Sequence, residues 1–85
     1  MALTTPDWLA RHGGEVRPSK DGRSASVYFD GQLQYVLVVV PARGKFACRV
    51  AQTINGRRLD GGAVHATPEA ALGGGLEDLR QALGW

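Results

Sequence analysis

Gln34-Tyr35-Val36-Leu37-Val38-Val39-Val40, halted by Pro41, is the stretch on which the fold turns. A β-branched run of this length reads as a strand, and because its alternate residues point to opposite faces, both faces of that strand are apolar. Each face therefore needs a cover. The run lies inside a segment, residues 31–59, that carries Arg43, Lys45, Arg49, Arg57 and Arg58 and no acid.

Turn signals on either side give the neighbours. Asp30-Gly31-Gln32 turns the chain into this strand from Ser24–Phe29, and Pro41-Ala42-Arg43-Gly44 turns it out into Lys45–Ile54. Glu15-Val16-Arg17 reads as a further short strand, joined to Ser24–Phe29 through Ser19-Lys20-Asp21-Gly22. A three-residue loop at 30–32 sets Phe29, Val27 and Ala25 opposite Leu33, Tyr35 and Leu37, and Phe46, Cys48 and Val50 extend that apolar face. Asn55-Gly56 predicts a two-residue hairpin that folds Arg57-Arg58-Leu59 back on Ile54 as a short edge.

Helices are marked at both ends by one grammar, Thr5-Pro6-Asp7 and Thr67-Pro68-Glu69. Threonine before proline is held extended as an N-cap, proline at the first helical position loses no hydrogen bond, and the acid complements the helix dipole. The first helix is expected from Pro6 to about His12, stopped by Gly13-Gly14 and docked through Trp8 and Leu9. The second, from Pro68 to about Leu83, carries Leu72, Leu76, Leu79 and Leu83 as a single stripe that covers one sheet face. Gly73-Gly74-Gly75 interrupts its composition but not its phase. Gly75 falls on the stripe, where a missing side chain admits the sheet, and a break into two shorter helices is the alternative.

The expected fold is α+β in one domain over residues 1–85: a short N-terminal helix, an antiparallel meander of three to five strands, and a C-terminal helix on one sheet face. Apolar content of 44% and charged content of 21% suit a globular chain, and no apolar run nears membrane-spanning length. A single cysteine, Cys48, and an N-terminus without a basic and then apolar leader give the expectation of a cytoplasmic protein. Bases and acids cancel over residues 1–30, the middle segment stands at +5, and residues 60–85 stand at −3.

Catalytic and cofactor chemistry finds no constellation. Cys48 sits at an apolar position of an alternating strand, His12 and His65 lie at no ligand spacing, and Ser19, Ser24 and Ser26 have turn or strand roles. The glycine triplet has no Walker lysine beside it. The reading is a non-enzyme without cofactor or metal. On the sheet face away from the long helix the alternation places Tyr28, Val36, Val38, Val40 and Arg49, with Ala47 and Ala51 around them. Such a face suits protein contact, and a two-fold homodimer through it is the expected assembly unless Trp8 and Leu9 cover it. The second reading is nucleic-acid binding through Arg43, Lys45, Arg49, Arg57 and Arg58.

The strand opening Tyr35-Val36-Leu37-Val38-Val39, the strand Lys45-Phe46-Ala47-Cys48-Arg49-Val50 and the helix opening Thr67-Pro68-Glu69-Ala70-Ala71-Leu72 together resemble HicB-type antitoxin domains over residues 34–83. The resemblance implies a meander with a helix across it. It departs at Gln52-Thr53-Ile54-Asn55-Gly56, where that family has a proline-rich loop, and it assigns no partner. The order helix, three long strands, helix is also similar to the double-stranded-RNA-binding domain, with Glu69, Glu77 and Asp78 where that family's second helix is basic.

Overall fold

A computed structural model describes residues 4–85. The chain runs α1 (Asp7–Ala10), β1 (Gly14–Pro18), β2 (Ser24–Phe29), β3 (Gln32–Ala42), β4 (Lys45–Gln52), β5 (Val64–His65) and α2 (Pro68–Leu83). The strands form one antiparallel sheet in sequence order, and α2 packs on it, so the architecture is α+β as the sequence implies.

The residues that face α2 follow the alternation. Val16, Val27, Tyr35 and Ala25, Leu37, Val50 stand in register across β1 to β4, with Val39 beside Cys48. All are buried, and Leu9, Ala71, Leu72, Leu76 and Leu79 close the same core. Helix α2 is unbroken through the glycine triplet. Thr67 caps it from extended backbone (φ −134°, ψ 155°), its hydroxyl accepting from Ala70 N at 3.1 Å, and Gly84 ends it at φ 75°. A Cβ on Gly75 would run into the Cys48 thiol and stand 3.1 Å from Leu37, so here the helix backbone itself touches the sheet.

Three local expectations are corrected. The loop between β2 and β3 has two residues, Asp30 and Gly31, at φ 53° and 76°, which sets Phe29 opposite Gln32 and Tyr28 opposite Leu33. The register then slips between Val27 and Tyr28, which leaves Gln34 unpaired as a bulge and restores Val27 opposite Tyr35. Leu33 is thereby turned to the outer face, 41% exposed. Thr53 satisfies the bulge, donating from its N to Gln34 O at 2.9 Å and from its hydroxyl to Leu33 O at 2.9 Å.

At Asn55-Gly56 only Gly56 takes a left-handed backbone, because the Asn55 side chain instead accepts from Arg57 N at 2.9 Å. A wider loop results, and Arg58 bridges to Ala51 rather than folding on Ile54. The fifth strand comes later, at Val64–His65, paired to Phe46 and Ala47.

At the N-terminus Pro6, not Thr5, is the N-cap, and it makes no side-chain cap. The Thr5 hydroxyl is used elsewhere, accepting from Val16 N at 3.1 Å on the outer edge of β1. Helix α1, whose side the sequence left open, lies on the α2 side of the sheet. Leu9 is fully buried in the shared core, and Trp8 meets Trp85, the residue after the α2 cap, edge-on at 6.2 Å. Trp85 also stacks on His12 at 3.8 Å and meets Phe29 at 5.7 Å. Neither Trp8 nor Leu9 is left to cover the opposite face.

Candidate binding face

With both helices on one side, the other side of the sheet is open, and its side chains form rows across the strands. The central row holds Ser24, Val38 and Arg49; on one side of it stand Arg17, Ser26, Val36, Ala51 and Arg58, and on the other Val40, Ala47 and Val64. Tyr28 with Glu15 and Leu33 closes one end, and Lys45 with Ala42 the other. Strand β3 supplies the tallest apolar side chains. Val38 is 40% exposed, and Val36 and Val40 are partly buried by their neighbours. Successive valines on one face of a strand stand about 6.6 Å apart, so the ridge is about 13 Å long. Serines on β2 and alanines on β4 keep the ground beside it low.

Charge is distributed unevenly over this face. Arg17 reaches Glu15 at 3.3 Å and lies over the Tyr28 ring at 4.5 Å. The hydrogen bond and charge of Glu15 raise the guanidinium's pKa further above its ordinary range. Arg58 contacts Asp60 at 2.6 Å, and that bond, with a second from Val50 N at 3.3 Å, holds the Asp60 carboxyl down at about 2. Lys45 and Arg49 have no ion-pair partner among the described residues and are exposed. The carboxylates near the face are thus already engaged, and the charge left free is positive.

The structure therefore brings together Tyr28, Val36, Val38, Val40 and Arg49, and adds Lys45 to them. It does not gather the five cations of the basic segment. Lys45 and the Arg58 bridge at Ala51 stand six residues apart along β4, about 20 Å, with Arg43 in the turn at one end and Arg57 in the loop at the other. Arg17, Glu15, Leu33 and Val64 also lie on the face and were not among the residues singled out from the sequence. Alternation in Glu15-Val16-Arg17 does put both charges opposite the buried Val16, which was the available signal; the displacement of Leu33 by a bulge had none.

The sheet edges offer less. Along β1 the Val16 N–H is taken by Thr5 and Pro18 has no N–H. Along β4 the outer groups are met by β5, by Leu59 N to Val50 O at 2.8 Å, by Asp60, and by Arg57 O, which accepts from Gln52 N at 2.9 Å. Part of the hydrogen-bonding capacity along β1 and β4 is thus already engaged.

Nucleophilic chemistry has a poor candidate in Cys48. Burial, reinforced by the charges of Asp78 and Asp60, pushes its thiol up to about 11, far from a neutral-pH thiolate. No group of three or more His, Cys, Asp or Glu side chains converges among the described residues. No helix among them is long and apolar enough to cross a membrane. No family model, curated protein or solved structure matches the chain.

Proposed function

We propose that this chain is a non-catalytic binding and assembly module whose working surface is the open face of the sheet. One observation carries the reading: α1 and α2 share a side, which leaves the ridge of Val36, Val38 and Val40 facing water with nothing in the described chain across it. An apolar strip bordered by charged and small residues is the composition of a protein-contact surface. The partner is either a second copy, giving a two-fold dimer, or another protein.

Accessory nucleic-acid binding through Arg43, Lys45, Arg49, Arg57 and Arg58 is the second reading, favoured by the unpaired Lys45 and Arg49. Against it, Tyr28 is the one aromatic ring on the face and already lies beneath Arg17, so no free platform for base stacking accompanies the cations.

The test is a pair of substitutions at adjacent residues of β3. Val38→Asp leaves thermal unfolding close to that of the native chain, whereas Leu37→Asp, in the core, unfolds it. In nuclease-treated extract of the native cell, proteins retained by the native chain are lost by folded Val38→Asp. Unfolding of Val38→Asp, or retention of the same proteins by both chains, overturns the reading.

A further inference from the structure

The open face combines three properties that narrow its occupant: a single apolar ridge, low ground on both flanks, and unpaired positive charge on one flank. We infer that it receives an acidic amphipathic helix of another protein, whose apolar stripe covers Val36, Val38 and Val40 and whose carboxylates meet Lys45 and Arg49. This deepens the binding-module reading and rests on it.

Shape favours a helix. The sheet already takes one on its other side, where the leucine stripe of α2 lies on Leu37, Cys48 and Val50. The 13 Å ridge corresponds to about nine helical residues at 1.5 Å each, so anchors at i, i+3 or i+4, and i+7 span it. Ser24 and Ser26 on one flank and Ala47 and Ala51 on the other leave room for such a helix to settle beside the valines. An added strand would instead pair along an edge and leave the valine ridge of the face uncovered.

Charge selects the sign of the partner and weighs against a second copy. Arg49 is the register partner of Val38, one strand spacing of about 5 Å away, so a face-to-face dimer centred on Val38 carries Arg49 close to the centre of the contact. Its own copy then lies on the facing sheet near the same centre, like charge toward like charge. Glu15 and Asp60 already hold Arg17 and Arg58, so the two Arg49 guanidiniums and Lys45 would lose water without gaining a counter-charge. An acidic helix supplies that counter-charge. Lys45 and Arg49 are four residues apart on one strand, about 13 Å, which asks for two carboxylates some two turns apart on one side of the apolar stripe.

Two synthetic helical peptides of about sixteen residues test this, alike in a leucine stripe and differing in glutamate or lysine beside it. Each is titrated into the isotope-labelled full chain and followed by amide chemical shifts. The glutamate peptide is expected to move amides of β3 and β4 saturably, and the lysine peptide to bind at least about tenfold more weakly. Arg49→Glu reverses that order, and folded Val38→Asp loses both. Equal binding of the two peptides, or preference for lysine by the native chain, overturns the inference. So does a native-chain dimer at micromolar concentration dispersed by Val38→Asp, although that result upholds the binding face. Saturable binding of a single-stranded oligonucleotide, lost in Arg49→Glu, in place of the peptide also overturns it and transfers the face to the second reading. No response of the open face to either peptide, to the oligonucleotide or to its own concentration overturns the binding-face reading along with the inference.

Discussion

Three consecutive glycines in α2 occupy three different environments, so one substitution reads differently at each. A Cβ at Gly73 meets nothing within 4 Å, and Gly73→Ala is expected to stabilise the chain by about 1 kcal/mol through helix propensity. At Gly74 the added methyl meets the His65 imidazole, so the ring must turn aside and the gain is smaller. At Gly75 it meets Cys48 and Leu37 in the core, and Gly75→Ala is expected to cost about 1 to 3 kcal/mol. Urea melts of the three variants rank them. The sequence carried the role of Gly75 through helical phase alone, but it gave Gly74 no neighbour, because the pairing of His65 with Phe46 that brings the imidazole there had no local signal. A turn residue offers a second case: Arg43 sits at φ 53°, a region costly to a side chain that gains nothing locally, and Arg43→Asn is expected to raise the urea midpoint slightly. Asp60 sets an acid limit. Its carboxyl is held at about 2 against an ordinary 3.8, so its contribution is complete above the ordinary value and is lost as pH falls toward 2. Melts of Asp60→Asn and the native chain should therefore differ at neutral pH and converge near pH 2.

Among the elements, α2 concentrates the stabilising contacts. Leu79 is wholly buried and Leu76 nearly so, and Leu79→Ala and Leu76→Ala are each expected to cost about 2 to 5 kcal/mol in urea melts. Thr67→Ala, which removes the hydroxyl from Ala70 N, is expected to cost about 1 kcal/mol. The helix was legible because its cap and phase agree. The same grammar at Thr5-Pro6-Asp7 placed a helix correctly but misassigned its first residue, since tertiary structure drew the Thr5 hydroxyl away to Val16 N. Strand order and the inward-facing residues from Val27 and Ala25 to Val50 were legible from alternation. The hairpin details were not, because a two-residue loop followed by a bulge at Gln34 restores the register that a three-residue loop gives without one. Asn55 likewise satisfies a backbone N–H by its side chain where a tight turn would have needed its own left-handed backbone.

For the whole molecule the result is a two-layer body with chemically unlike sides. One side carries α2, where Glu77 pairs with Arg80 at 3.1 Å and Asp78 accepts from Gly61 N at 2.9 Å; the other presents valines with unpaired Lys45 and Arg49. Sidedness was legible in part. The sequence marked both faces of β3 as apolar and named Tyr28, Arg49 and the valines of the open one, but it left undecided whether α1 would cover them. That choice depends on Leu9 joining the core and on Trp8 meeting Trp85, contacts between the two ends of the chain that no local pattern encodes. Trp8 and Trp85 are also the two tryptophans of the sequence, and both belong to this one aromatic cluster. Intrinsic emission from this protein therefore has its indole sources where the two ends meet, far along the chain from the β3 and β4 hairpin. If α1 detaches before the sheet melts, the emission transition will come at lower denaturant than the loss of far-ultraviolet ellipticity, and the interval between the two midpoints will measure how tightly the ends are tied.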